Sequence, residues 1–313
     1  MSDRRATALH AAIVAALAAG YFVLPEYHSG NLARIMVLAV YAMGYNILFG
    51  YTGLLSLGHA LFFAAGMYGL ALPIEHLGLA PLPAFAIGVT AAFVVSAAIG
   101  ALALRTVGVA FMIVTLMFAQ AGFLLALYFG AWTGGDEGFA IPQSLRSVAG
   151  IDLTAGDTRY GAALVLFAAC LFITARVVQT PFGRALIAIR ENEERARMLG
   201  YDVTRLKLWA VILSGTMAGA AGAAYALLFG YAGASFAGVQ HSILPLLWVL
   251  LGGAGTTIGP LIGTGFMFYL IDISSEITTA YMIVAGLALV LLVLFARAGI
   301  AGELRRRVWR WLP

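Results

Sequence analysis

Charged side chains are scarce in this sequence of 313 residues: only 10% are Asp, Glu, Lys or Arg. A soluble domain carries roughly 25%. Hydrophobic residues make up 62% of the chain, and a soluble fold cannot remove that much apolar surface from water. Lysine occurs once, as Lys207. The composition therefore excludes a soluble globular protein.

The sequence also lacks the motifs of several enzyme classes. The single cysteine, Cys170, lies inside an apolar run, which excludes a disulfide framework and a cysteine metal site. A phosphate-binding loop needs Gly-Lys followed by Ser or Thr, but the only lysine follows Leu206. There is no His-Glu metal motif or serine nucleophile elbow, and the glycine-rich run at 252–259 follows no strand. We therefore predict that the chain is not an enzyme and holds no cofactor of its own.

Long apolar runs are what the sequence has in abundance, and most approach the ~20 residues that cross a bilayer as a helix. They do not alternate with period two, as a membrane β-barrel requires. We predict an all-α polytopic membrane protein, a single domain over residues 1–313 with about ten transmembrane or partly spanning helices. The predicted segments are Leu9–Leu24, Leu32–Phe49, Leu54–Leu72, Ala84–Leu104, Val107–Phe129, Tyr160–Val178, Leu208–Gly230, Ser242–Leu251, Ile258–Ile271 and Ala280–Phe295. The first of them is short and alanine-rich, like a signal peptide, but we favour a retained helix.

The basic residues test this count of helices. With an inner N-terminus, 15 of the 18 basic residues fall on the inner side, and Arg34, Arg146 and Arg159 fall outside. Positive charge accumulates in cytoplasmic segments, so this excess explains the sequence pI near 9.3 without nucleic acid. We expect both termini in the cytoplasm, a basic cytoplasmic tail at 297–313, and an ordered external loop at 131–159.

One polar, charge-dense stretch interrupts the apolar chain, and we call this stretch, Thr180–Lys207, the polar island. Pro181 and Gly183 end the preceding helix, strong helix formers follow over Arg184–Leu199, and Gly200 suits a C-terminal cap. A basic loop on anionic lipid headgroups is one reading. Interleaved glutamates favour a protein partner instead. The candidate contact residues are Arg184, Arg190, Glu191, Glu193, Glu194, Arg195 and Gly200.

Several motifs then carry a resemblance to a family. Glu194-Arg195-Ala196 with Gly200 following resembles the loop that importer-type ABC permeases insert into their ATPase subunits. The wider stretch GRALIAIRENEERARMLGYDVTRLKLWAVILSG is similar to the branched-chain amino acid permease family. Further matches are NILFGYTGLLSLGHALFFAAG at 46–66, Thr133-Gly134-Gly135, and LLGGAGTTIGPLIG at 250–263. In this order they cover most of the chain from 40 to 302.

The resemblance implies a permease subunit of a bacterial inner-membrane importer, with the ABC importer permease fold. It further implies a second homologous permease, two ATPase subunits that bind ATP and magnesium, and a periplasmic substrate-binding protein. The polar island would be the ATPase-coupling loop. Branched-chain amino acids are the expected substrates. Urea, short amides and other small polar solutes remain open, because GYTGLLSLGH also resembles urea-importer permeases.

Uncharged polar residues in the apolar runs are candidates for a translocation pathway. Gly50, Gly53 and Gly58 permit a broken helix, which membrane proteins tolerate where it lines a cavity or is buried in protein. They equally suit close helix packing, and a lone histidine in an apolar helix is commonly bonded within the core. The candidates are Asn46, Thr52, Ser56, His59, Thr115 and Gln120.

Two other functions stay open at this point. A gradient-driven secondary transporter requires an acid inside the membrane, and Asp272 and Glu276, one helical turn apart, are the candidates. Their position at the end of a short segment favours solvation instead. A receptor or scaffold would bind a partner at the polar island without moving solute.

Overall fold

The computed structural model describes residues 2–148, 150–280, 283–284, 286–288, 290, 294 and 298–307. Its helices are α1 (Ser2–Val23), α2 (Glu26–Asn46), α3 (His59–Leu77), α4 (Pro81–Ala103), α5 (Val109–Tyr128), α6 (Gly130–Thr133), α7 (Gly156–Gln179), α8 (Pro181–Glu191), α9 (Glu193–Met198), α10 (Val203–Phe229), α11 (Val239–Gly252), α12 (Gly259–Ile277) and a last helix at Gly299–Arg307. Four two-residue strands are β1 (Phe139–Ala140), β2 (Ser147–Val148), β3 (Ile151–Asp152) and β4 (Tyr231–Ala232).

Seven helices of the described residues are long and apolar enough to cross a membrane: α1, α2, α3, α4, α5, α7 and α10. This confirms an all-α polytopic membrane protein. The two predicted short segments are α11 and α12. The α12 helix is longer than predicted, because the polar residues after Ile271 continue the helix to Ile277. The predicted span Ala280–Phe295 and the tail at 297–313 lie largely or partly outside the described residues.

The α2 and α10 helices form the centre of the bundle. Their membrane-length windows are 78% and 83% buried, against 22% for α4 and α5. Glycines bring their neighbours into backbone contact: a Cβ atom on Gly66 of α3 would overlap the Gly219 carbonyl of α10, and one on Gly222 would overlap the Phe63 carbonyl. Helices in lipid associate through such small-residue contacts. The core is therefore set by close backbone packing.

Two helices extend beyond the predicted spans. The second span begins at Glu26 and not at the predicted Leu32, and Glu26 places a carboxylate in the first turn of α2, where the helix dipole favours negative charge. The third span was predicted to end at Leu72, which was wrong. The α3 helix continues through Pro73 to Leu77, since the backbone group freed by a proline is tolerated in membrane helices. Gly78, whose φ of 61° is left-handed, caps its end.

The segment between α5 and α7 carries three of the short strands. The β2 and β3 strands form an antiparallel hairpin, and β1 pairs with β4 just beyond the end of α10. The Ile141 N–H also donates to the Gly230 carbonyl over 2.9 Å. These pairings hold the segment against the end of α10, so that it has a defined structure without a core of its own.

Candidate functional site

The polar island forms two helices, α8 and α9, where a single helix over Arg184–Leu199 was predicted. That prediction was wrong at Asn192, which has an extended backbone (φ −161°, ψ 104°) and caps α9 by accepting a hydrogen bond from the Arg195 N–H. Asparagine competes for backbone hydrogen bonds in this way and favours helix starts. Gly200 lies where a cap was predicted, with φ of 87°. The Tyr201 N–H donates to the Ala196 carbonyl over 3.3 Å, as in a Schellman motif.

The α2 helix ends in an irregular turn. Residues Ile47–Tyr51 form a π-helical turn, after which the chain is not helical until His59. The Thr52 hydroxyl donates to the Ile47 carbonyl over 2.9 Å, and Gly53 has a left-handed φ of 78°. The third span therefore begins at His59 and not at the predicted Leu54. π-helical turns in membrane and soluble helices are frequent at functional sites.

A second break, between α11 and α12, lies against the first. It contains Gly253 and Gly255, both with positive φ. The buried Asn46 side chain of α2 holds this break by two hydrogen bonds: its Nδ2 donates to the Thr256 carbonyl over 2.8 Å, and its Oδ1 accepts from the Gly255 N–H over 2.9 Å. An amide is suited to this role because it supplies a donor and an acceptor together.

Arg190, in the last turn of α8, joins the polar island to both breaks. Its guanidinium donates to the Gly50 carbonyl in the π-helical turn. A Cβ atom on Gly255 would lie 2.8 Å from Arg190 Nη1, and one on Gly53 would lie 3.1 Å from its Cγ. We call Arg190, Asn46, Gly50, Gly53 and Gly255 the joint. Through the joint, α8 contacts both the break after α2 and the break between α11 and α12.

A cavity of about 590 Å³ opens beside the joint. The polar island forms its charged wall, and the α4–α5 turn and the segment after the π-helical turn form the other. The charged residues that line it are Arg190, Glu191, Glu193, Arg197 and Lys207. Both signs of charge are present, so the cavity suits a protein surface or a zwitterion better than a single ion.

The charged wall of this cavity is held by Glu193. Its carboxylate accepts from Lys207 Nζ over 2.6 Å and from Arg197 Nη2 over 3.0 Å. Lys207 is 8% exposed, although it is the only lysine of the chain. A nearly buried ammonium needs a counter-charge, so this pair fixes α9 against the start of α10.

We expect Glu193→Gln to lower the free energy of unfolding by about 1–2 kcal/mol, between the values for exposed and buried ion pairs. The cause is the Lys207 ammonium, which loses its counter-charge. Thermal unfolding in detergent measures the change. Arg197→Gln, which removes the exposed partner of the same carboxylate, should have a smaller effect. Equal stability of Glu193→Gln and the unmodified protein would contradict this reading.

Five of the six pathway candidates surround the break in α2. Asn46, Thr52, Ser56, His59 and Thr115 are all buried. His59 Nε2 lies 2.7 Å from Ser214 Oγ, and the Thr115 hydroxyl accepts from the Leu57 N–H over 3.1 Å. Gln120 lies elsewhere, half-buried on α5. These contacts show how the side chains hold the break together; their role in a pathway stays a prediction.

The two candidate acids of a secondary transporter lie near the end of α12. Asp272 accepts a hydrogen bond from the Tyr27 hydroxyl over 2.7 Å, and the Asn31 amide lies 3.4 Å away. Glu276 is exposed. Asp272 thus ties the start of α2 to α12, a contact that the sequence did not indicate.

Some residues that hold these elements escaped the sequence reasoning. The Ser214 hydroxyl donates to the Gly44 carbonyl, the Ser242 hydroxyl accepts from the Ala60 N–H, and His10 Nε2 lies 2.8 Å from Thr257 Oγ1. A polar residue inside an apolar run is the signal that marks them, since such residues commonly bond across helices. Their partners, however, lie far away in the sequence.

The sequence matches the family described as "Branched-chain amino acid transport system / permease component" over residues 28–296. The chain belongs to this family. Its members are transport permease components, and the long apolar helices, the broken α2 and the ordered polar island of this chain are the structure of one such permease.

Curated relatives within this permease family include LivM, the high-affinity branched-chain amino acid transport system permease protein. The Salmonella typhimurium protein is 29% identical over 291 residues, which cover 85% of this chain and 68% of the relative. Escherichia coli LivM is 28% identical with the same coverage. The autoinducer 2 import system permease protein LsrC of Klebsiella pneumoniae is 31% identical over 152 residues, 46% of this chain and 43% of that protein. No solved structure matches this chain significantly.

Proposed function

We propose that this permease is the membrane subunit of an ATP-driven importer, placed in the bacterial inner membrane with both termini in the cytoplasm. The observation that carries the proposal is the Arg190 contact, which joins a helix of the polar island to two broken helices of the bundle. A loop that only anchors a bundle at the headgroups needs no such link. The excess of basic residues at the same end supports the orientation.

The mechanism that we propose is alternating access driven from the polar island. Closure of two ATPase subunits moves α8 and α9, and Arg190 transmits the movement to the breaks after Asn46 and Gly253. Rigid elements that pivot about such breaks open one face of a permease and close the other. A second homologous permease completes the pore. ATP and magnesium bind to the ATPase subunits, and this chain holds no cofactor.

The tip of the polar island supports a protein partner. Met198 and Leu199 are 85% and 71% exposed, beside the exposed Glu194 and Arg195. Exposed apolar side chains ringed by charge are typical of protein interfaces. With Arg184, Glu191, Glu193 and Gly200 they form the surface that we propose to contact the ATPase.

The proposed substrates are small polar solutes that a periplasmic binding protein delivers at the opposite end, around residues 131–159. Branched-chain amino acids come first because they are named for both LivM relatives. Urea and short amides remain candidates, and the LsrC relative is named for a different solute. Uncharged groups such as Asn46, Thr52 and Ser56 suit weak contacts with a passing polar ligand.

We expect Glu194→Lys to uncouple ATP hydrolysis from transport while the protein remains inserted and folded. Glu194 is exposed on α9, and a reversed charge misplaces the tip against its partner. The readout is the number of ATP molecules hydrolysed per solute imported. Glu75→Lys, at the exposed end of α3, is the matched control. Normal coupled uptake by Glu194→Lys would refute the idea.

The proposed partnership is tested by purification of the tagged chain in mild detergent, followed by mass spectrometry. A subunit with a nucleotide-binding loop should co-purify. The variant Leu199→Asp should lose it, because a carboxylate would be buried in the interface. If no such subunit co-purifies with the unmodified chain, the ATP-driven importer is rejected.

A further inference from the structure

An apolar groove of about 410 Å³ runs along the outside of the bundle at the end opposite the polar island. The α4, α7 and α10 helices and the β2–β3 hairpin form its walls, and every lining residue is apolar. Val165 and Leu82, on its rim, are 70% and 63% exposed. The groove is therefore open to the lipid that surrounds the bundle.

Two arginines lie just beyond the lining of this groove, next to its β2 wall and the start of α7. Arg159 is on the same stripe of α7 as the lining residues Ala162, Leu166 and Ala169, because residues three, seven and ten apart share a helix face. Its guanidinium lies 5.9 Å from the centre of the Phe229 ring. Arg146 precedes the lining residue Val148, and a Cβ atom on Gly230 would lie 2.5 Å from its Nη1. Phe229 and Gly230 directly follow the lining residues Leu227 and Leu228, so both arginines place positive charge beside this end of the groove.

Neither guanidinium forms an ion pair with an acidic side chain among the described residues. The Nε atoms of Arg146 and Arg159 are both buried with no hydrogen-bond partner. Burial lowers the pKa of Arg146. The negative charge of Asp152 raises this pKa, and the positive charge of Arg159 lowers it. Asp152 itself is engaged by the Thr154 N–H over 2.8 Å. Buried polar groups without partners are rare and call for a ligand or water.

We propose that this groove binds one phospholipid with an anionic headgroup, its phosphate on Arg146 and Arg159 and an acyl chain against α7 and α10. The positive charge of the two arginines favours an anionic headgroup, and the apolar walls of the groove favour an acyl chain. Such a lipid fastens the hairpin to the start of α7 and the end of α10, at the end where we place the binding-protein contact. The site does not depend on which solute the permease carries.

The test is native mass spectrometry of the full-length chain, with its co-purifying subunits, in detergent with equal amounts of phosphatidylglycerol and phosphatidylcholine. The unmodified protein should retain one phosphatidylglycerol molecule in preference to phosphatidylcholine. The double variant Arg146→Gln, Arg159→Gln should lose that preference roughly tenfold or more. Ala169→Phe, which fills the groove at an exposed position and keeps both arginines, should lose the lipid altogether.

Two controls match these variants. Arg176→Gln removes an exposed arginine at the other end of α7, and Ala121→Phe adds a ring at an exposed position of α5; both should retain the lipid. Undiminished preference in the double variant, or undiminished retention in Ala169→Phe, would overturn the proposal. So would displacement of the lipid by glycerol phosphate at equal concentration, because the site would then bind a free anion.

Discussion

Arg190→Gln should reduce ATP-driven uptake by about tenfold to hundredfold, while the protein remains inserted and assembled with its ATPase. The substitution removes the charged donor to the Gly50 carbonyl, an interaction worth about 1.5–3 kcal/mol. If that energy holds α8 to the breaks during movement, its loss corresponds to the stated change in rate. The measurement is uptake of labelled solute into proteoliposomes with ATP inside.

The control for Arg190→Gln is Arg205→Gln. Arg205 is an exposed residue of the polar island in the first turn of α10, so its substitution removes the same charge without touching the joint. We expect uptake within about twofold of the unmodified protein, as for other exposed charges. If both variants lower uptake equally, the loss of positive charge from the polar island causes the decrease. The joint then does not transmit the movement of α8.

Gly66→Leu should prevent the bundle from assembling, and it is the substitution for which we expect the largest effect on stability. A Cβ atom at Gly66 would overlap the Gly219 carbonyl of α10, which is backbone and cannot rotate away. Overpacking in a core typically costs about 1–3 kcal/mol where side chains can adjust, so we expect a greater cost here. Size-exclusion chromatography of a fluorescent fusion should show aggregate and little monodisperse protein.

Gly161→Leu is the matched control for this variant. A Cβ atom at Gly161 of α7 meets nothing within 4 Å, so the same substitution should leave the elution profile unchanged. Should Gly66→Leu also elute as a monodisperse peak with an unchanged melting temperature, the close contact of α3 and α10 would be wrong.

The sequence predicts the helices well because hydropathy in a bilayer is a strong local signal. Each of the seven long spans coincides with a predicted apolar run. The ends of the helices are less predictable, since Pro73 lies inside α3 and Glu26 starts α2. In lipid the backbone must stay hydrogen-bonded even where single residues disfavour a helix. At Asn192 the opposite occurs, where a side-chain cap outcompetes good helix formers on both sides.

The joint and the polar side chains around the break in α2 are only partly predictable, for a different reason. Polar residues in apolar runs point to Asn46, Thr52, Ser56, His59 and Thr115, and the structure places them around one break. Their partners do not follow from any local pattern. Arg190 and Gly50 are 140 residues apart, and Asn46 and Thr256 are 210 apart. Only the packing of α2, α8 and α11 brings them together.

Uptake in proteoliposomes distinguishes an ATP-driven importer from a gradient-driven transporter. The chain is reconstituted with its co-purifying subunits and the binding protein, and labelled leucine uptake is measured with ATP or with a proton or sodium gradient alone. We expect uptake with ATP and none with either gradient, for the unmodified chain and for the double variant Asp272→Asn, Glu276→Gln. Uptake by the chain alone under a gradient, lost in that double variant, would contradict this expectation and establish a secondary transporter.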